Sequence, residues 1–141
     1  MATTTSDDDL FGAEHVRAYR ESGGKRGFHW RGTTILLLTT TGRTSGEPRV
    51  APLIFREDGA RWVVVASRGG APEHPDWFKN LEQHPEAEIQ VRHERFPVRM
   101  SVAQGAERER LWDLMCEVWP DYATYQTKTD RQIPIVLLER S

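Results

Sequence analysis

Between residues 39 and 53 the chain reads TTTGRTSGEPRVAPL: Gly42 and Gly46 enclose Arg43, Thr44 and Ser45, and a second cation, Arg49, opens the next apolar run. Set between two strands, such a loop gathers guanidinium charge, hydroxyl donors and backbone N–H groups, the donor set that an oxyanion such as phosphate takes. The Gly-Lys-Ser/Thr ending of a Walker loop is missing, and no Gly-x-Gly-x-x-Gly occurs in the chain. A hairpin tip with a solvated arginine has the same composition, because Gly and Ser are ordinary turn residues. At this level both readings stand.

Two further stretches have residues suited to a ligand. Ser67-Arg68-Gly69-Gly70 leaves the end of a strand, where N–H groups are free and glycine allows close approach. In Asp76-Trp77-Phe78-Lys79-Asn80, either aromatic could cover a flat ring while Asn80 offers both donor and acceptor, although Trp and Phe in a short helix also serve as core. Trp112, Trp119, Tyr122 and Tyr125 fall close together, as pocket-lining aromatics do. Conventional catalytic sets are absent. The five histidines (His15, His29, His74, His84, His93) lack metal-ligand spacing, and Cys116, the only cysteine, can build neither a thiolate zinc site nor an internal disulfide. With no nucleophile elbow and no paired Cys and His motif, hydrolase chemistry lacks its residues, and an organic cofactor becomes the more attractive source of reactivity.

The elements that must position these residues are read from periodicity. A chain of 141 residues with 38% hydrophobic content suits one core, and a net charge of −2 argues against a nucleic-acid module. The opening MATTTSDDDL has no signal-peptide pattern and no stretch is apolar enough for a membrane span, so residues 1–11 read as a flexible tail ahead of one domain over 12–141. AEHVRAYRES before Gly23-Gly24 reads as a helix, TTILLLTT as a strand buried on both faces, and RVAPLIFRE and RWVVVAS as strands joined at Asp58-Gly59. Pro52 places its position at an edge, a bulge or a ligand-facing break. DWFKNLEQH lies between Pro75 and Pro85 as a helix, residues 87–91 and 96–102 alternate as a hairpin, GAERERLWDLMCEVW is a helix, and IPIVLLER is a sixth strand. The expected fold is α+β and mainly β: a six-stranded antiparallel split barrel with short flanking helices.

HVRAYRESGG, LLLTTTGRTSGEPRVAPL, VVVASRGG, HPDWFKNLEQHPEAEIQV and WPDYATYQTKTDRQIPIVLLE, in this order and spacing, resemble the deazaflavin-dependent nitroreductase family, split-barrel oxidoreductases that use coenzyme F420. The resemblance runs from about Gly12 to Glu139. It implies that Arg43, Thr44, Ser45 and the strand Arg49, Val50, Ala51 and Pro52 hold the phosphate-bearing part of the cofactor. Val65, Ala66, Ser67 and Arg68, with Asp76, Trp77, Phe78, Lys79 and Asn80, would complete the groove. Trp119, Tyr122 and Tyr125 would face the substrate, with Tyr122 and then Ser67 as hydrogen-bond or proton donors. Two departures stand out: many relatives have lysine at Thr44, leaving Arg43, Arg49 or Lys79 to compensate, and members active on nitroimidazole drugs have tyrosine at Trp119.

The implied activity is hydride transfer from reduced coenzyme F420 to an electron-poor acceptor, a quinone, an activated enone or a nitroaromatic, the last disfavoured by Trp119. The alternatives are an FMN-dependent enzyme of the same architecture and a non-catalytic carrier of the deazaflavin. The expected setting is the cytoplasm, with no nucleic-acid partner. KRGFHWR (25–31) also suggests a peripheral membrane contact through Phe28 and Trp30, against the alternative of solvated charges around two anchoring aromatics. The oligomeric state stays open.

Overall fold

The computed structural model describes residues 7–141. Along the chain, α1 (Gly12–Ser22) precedes β1 (His29–Trp30), β2 (Thr33–Thr41), β3 (Pro48–Asp58) and β4 (Arg61–Val65). Then come α2 (Asp76–Gln83), β5 (Glu86–Val91), β6 (Glu94–Val102), α3 (Gly105–Val118), α4 (Asp121–Thr127) and β7 (Ile135–Arg140). The sheet order β1-β2-β3-β4-β7-β6-β5, with β5 pairing back onto β2, closes six antiparallel strands into a barrel and leaves β1 as a short extra strand. The split-barrel expectation is therefore met, with β1 and α4 added. Neither announces itself: β1 is too short to alternate, and α4, with sequence DYATYQT, carries no apolar stripe.

Alternation along the strands creates two apolar compartments. Val64, Val136 and Leu138 join Leu36, Leu38, Ile89 and Phe96 in one cluster, whereas their neighbours Val63, Val65, Ile135 and Leu137 pack with Leu111 and Met115 of α3 and Tyr122 of α4. β4 and β7 are thus apolar on both faces because each face has a partner. The other two α-helices also dock on the sheet, α1 against β3 and α2 against β2.

Local chemistry sets the element ends. α1 stops in a Schellman motif, with the N–H of Gly23 donating to the Arg20 carbonyl (3.4 Å) and that of Gly24 to Tyr19 (2.8 Å). Gly24 is required there: at φ +83 a Cβ would lie 2.4 Å from Arg92 Cα. The Tyr19 hydroxyl pins the helix to the barrel, donating to the Ile35 carbonyl (2.9 Å) and accepting the Arg92 N–H (2.8 Å). Pro52 pairs with Leu37 of β2, while β3 meets β4 only from Arg56 onward. The proline consequently sits where one edge of β3 is open, as its missing N–H demands.

One expectation about the N-terminal region changes. Residues 1–6 of the expected tail lie outside the described residues, but Asp7–Asp9 form a 3₁₀ turn and Leu10 is buried. Asp7 accepts from Gly27 N–H (3.0 Å) and Arg26 (3.2 Å), and the Leu10 carbonyl accepts from the Trp30 indole (2.9 Å). The same contacts bear on KRGFHWR, for which the alternative to a membrane contact is solvated charges around two anchoring aromatics. Phe28 is in the core and Trp30 is half-buried with Arg31 over its ring, so these two aromatics are anchors of the fold. Among the described residues no helix is long and apolar enough to cross a membrane.

Candidate active site

Two basins of about 380 Å³ each run end to end along β3 and meet at Trp77, which lines both. The first is cationic. Arg43, Thr44, Ser45 and Arg49 surround it, with Val50, Ala51, Asp76 and Asn80. The loop between β2 and β3 is held by the N–H of Gly42 to the Glu47 carbonyl (2.8 Å) and that of Gly46 to the Gly42 carbonyl (2.9 Å). Arg43 donates its own N–H (3.1 Å) and its guanidinium (2.9 Å) to Asn80 Oδ1, and the Asn80 amide donates to Thr40 Oγ1 (3.1 Å).

These bonds correct the expectation of a loop whose successive N–H groups point at the ligand. Four of the amides from 42 to 47 are engaged within the protein, and among the described residues those of Thr44 and Ser45 are left for an anion. Charge and hydroxyls therefore dominate the donor set. Among the described residues the Arg49 guanidinium makes only a 3.4 Å contact to Ser45 Oγ, whereas Arg43 also pairs with Asp76 (3.2 Å).

The second basin is apolar and flat-walled. Its floor comes from Pro52, Leu53 and Ile54 of β3 and the end of β4 at Val65; Ser67, Arg68 and Gly69 form one rim. A chain of rings completes the lining: Tyr122 lies 6.2 Å from Tyr125, the Trp119 indole reaches the Tyr125 hydroxyl (3.5 Å), Trp30 stacks on Trp119 (5.9 Å, 26°), and His15 is 6.0 Å from Trp30. Tyr122 is buried, lines this basin, and its hydroxyl meets no hydrogen-bond partner among the described residues. Burial, with the neighbouring Tyr125 and Cys116, pushes its pKa above the ordinary 10.0, so it remains a donor.

Most of the residues singled out from sequence converge here, and several do not: Trp112 of α3 lies under the Arg108 guanidinium (5.1 Å) and lines neither basin. Ala66 is fully buried behind the rim, Phe78 belongs to the barrel core, and Lys79 turns to Glu73 (3.2 Å), so none of them lines either basin. Lys79 is accordingly no substitute for the charge missing at Thr44. Phe11, His15 and Trp30 line the apolar basin without any sequence signal, because only the docking of α1 and β1 brings them there. Among the described residues no cluster of His, Cys, Asp or Glu is placed to hold a metal ion.

A family model described as F420H(2)-dependent quinone reductase matches residues 12–140. The chain belongs to this family. An F420H(2)-dependent quinone reductase of Mycobacterium tuberculosis is 38% identical over 130 residues, 89% of this chain and 87% of that protein. The solved F420-H2 dependent reductase FDR-A is 42% identical, with a TM-score of 0.69 over 77% of this chain and 95% of its own. A second solved structure, described as a domain-swapped dimer, is 39% identical at TM-score 0.71 and covers 88% of this chain and 92% of its own. HutZ, a haem storage protein of Vibrio cholerae, shares the fold alone, at 15% identity and TM-score 0.56. In the F420H(2)-dependent quinone reductase family the cofactor class is a deazaflavin with a phosphate in its side chain, and the cleft suits such a group: cations and hydroxyls at one end, aromatic walls at the other, and an indole at the junction.

Proposed function

We propose that this chain reduces a quinone-type acceptor with a hydride from reduced coenzyme F420. The observation that carries the reading is the polarity of one continuous cleft, cationic beside Arg43 and Arg49 and apolar beside Tyr122 and Trp119. When bound, the cofactor supplies a carbon-centred hydride donor. Arg43, Arg49, Thr44 and Ser45 would hold its phosphate, and Trp77, Pro52, Val65 and the Ser67–Gly69 rim its rings.

The protein's own chemistry lies in placement and in one proton. A quinone that accepts a hydride needs one proton to become the quinol. The Tyr122 hydroxyl, free of other partners among the described residues, is the donor that stabilises the developing oxyanion, delivers that proton and recovers it from solvent, with Ser67 of the same basin as a second donor. Stacking of Trp30 on Trp119 closes one side of the basin, and excluding water there strengthens the interaction with the phenol.

The test is a fluorescence titration with coenzyme F420 and with FMN, followed by turnover of the reduced deazaflavin with quinones, enones and nitroaromatics. Binding of the deazaflavin in preference to FMN and turnover with quinones are expected. Preference for FMN, or tight binding with no turnover on any acceptor, would replace the proposal with the flavin enzyme or the carrier respectively.

A further inference from the structure

Arg131 lies between α4 and β7, and its side chain is directed at the rim of the cleft. Nε donates to the Ala71 carbonyl (2.9 Å), Nη2 to the Ser67 carbonyl (2.7 Å), and Nη1 to both the Ala66 carbonyl (3.2 Å) and His74 Nδ1 (2.9 Å). Four of the five guanidinium donors are used, and none of these hydrogen bonds goes to a carboxylate. The arrangement exploits the rigid fork of arginine, which a lysine ammonium cannot reproduce.

The segment it grips is unusual. Arg68, Gly69 and Gly70 have φ of 46°, 63° and 83°, three left-handed residues in succession, and Arg68 pays a steric penalty that glycine would not. Carbonyls turned toward Arg131 on either side hold this turn in place, with Ser67, Arg68 and Gly69 facing the apolar basin. The same arginine is held from α4: Gln126 donates to the Arg131 carbonyl (2.8 Å) and accepts the Ile133 N–H (3.0 Å). Gly70 lies so close to that helix that a Cβ would be 2.5 Å from the Tyr125 carbonyl oxygen.

We infer that Arg131 is a positioning residue, which ties the Ser67–Gly69 rim on the cofactor side to the tyrosine-bearing helix on the acceptor side and so sets the separation across which hydride transfer occurs. The inference rests on the reading of the cleft as a deazaflavin site. It also assigns a state to His74. A guanidinium only donates, so Nδ1 must present its lone pair and the ring is neutral with its proton on Nε2. Burial first, then Arg131 and Lys79, push the His74 pKa below its ordinary value, with Glu82 opposing; the Phe78 ring stands 4.7 Å away. Acidification therefore loosens the clasp.

The experiment compares the full-length wild type with Arg131→Lys, Arg131→Ala and His74→Asn. The readouts are amide hydrogen exchange of residues 67–71 without cofactor, deazaflavin affinity by fluorescence, and quinone kinetics. Both arginine variants should speed rim exchange and weaken deazaflavin binding by about tenfold or more, as loss of several charge-assisted bonds requires. The KM for quinone should stay within about twofold, because the acceptor wall itself keeps its residues. Millimolar guanidinium should restore affinity to Arg131→Ala, and ammonium should not. His74→Asn keeps an acceptor that cannot titrate, and should remove the part of the acid loss of affinity that wild type shows. If Arg131→Ala does not fold, Arg131→Lys and His74→Asn decide. Unchanged rim exchange in Arg131→Lys overturns the inference; if the wild type binds no deazaflavin, the cofactor reading fails separately and rim exchange alone still decides.

Discussion

Asn80 and Arg43 are joined twice through a single oxygen: the backbone N–H of Arg43 (3.1 Å) and its guanidinium (2.9 Å) both end on Asn80 Oδ1. The amide nitrogen of Asn80 reaches Thr40 (3.1 Å), so one buried side chain of α2 fixes the end of β2 and the cationic loop together. Asn80→Ala should cost about 1–3 kcal/mol of stability by leaving polar groups unpaired, and should weaken deazaflavin binding by loosening the loop. Asn80→Asp keeps the acceptor yet introduces an anion beside the proposed phosphate site, so it should bind deazaflavin more weakly than wild type even with the loop in place. Urea unfolding and fluorescence titration separate the two effects.

Arg49 is the less committed cation of that basin, since among the described residues the only hydrogen bond of its side chain is the 3.4 Å contact to Ser45, whereas Arg43 is also needed by Asn80 and Asp76. Arg49→Ala should weaken deazaflavin binding by about 1.5–3 kcal/mol with little change in melting temperature. Arg43→Ala should lower both. Rising salt should narrow the gap between each variant and wild type. Unchanged dissociation constants in both variants would remove the phosphate from this basin.

For Tyr122, Tyr122→Phe keeps the ring and its packing against α3 while deleting the unpartnered hydroxyl. Turnover should fall by about 10- to 1000-fold, or 1.4–4 kcal/mol of transition-state stabilisation, with deazaflavin affinity nearly unchanged. The pH profile supplies a second check. Because the folded-state pKa is raised, the phenol stays protonated through its ordinary 10.0, and no alkaline loss of activity below that pH should trace to it. The stability linked to this burial is full below pH 10.0 and is lost as pH rises beyond it.

Phe11 is 77% exposed at the mouth of the apolar basin, where α1 begins. A long apolar tail on a quinone leaving the basin on this side would lie against this ring. Phe11→Ser should raise the KM of a long-tailed quinone by about fivefold, the contribution of roughly 1 kcal/mol of apolar contact, and leave that of a tailless quinone unchanged. Equal effects on both would assign Phe11 to packing.

Asp58 closes the β3–β4 turn onto α3: Arg110 meets both its oxygens (3.0 Å each), and Arg61 bridges it (2.9 Å) to Glu107 (2.9 Å). These hydrogen bonds hold the Asp58 carboxyl down to about 2, below its ordinary 3.8. The sign follows: the stabilisation is present above pH 3.8 and lost as pH falls through about 2. Asp58→Asn should lower the melting temperature by about 3 °C at neutral pH, as expected for about 1 kcal/mol in a domain of this size, and the difference should vanish in acid.

Strands, turns and the charge of the loop between β2 and β3 are local matters, and the chain's own order of residues settled them. Alternation around Ile89 and Phe96, the Asp58-Gly59 turn and the Gly23-Gly24 stop follow from backbone sterics and side-chain period, which act over a few residues. Folding decided what depends on docking. Trp77 and Phe78 are adjacent and chemically alike, yet one lines both basins and the other is core, because consecutive helix positions point about 100° apart and only the seat of α2 on β2 selects between them. Lys79 and Arg131 are ordinary cations in the linear chain. The first was lost to Glu73, and the second reaches carbonyls some sixty residues away, at separations of 60, 64 and 65 positions, which the pairing of β4 with β7 brings within hydrogen-bond range.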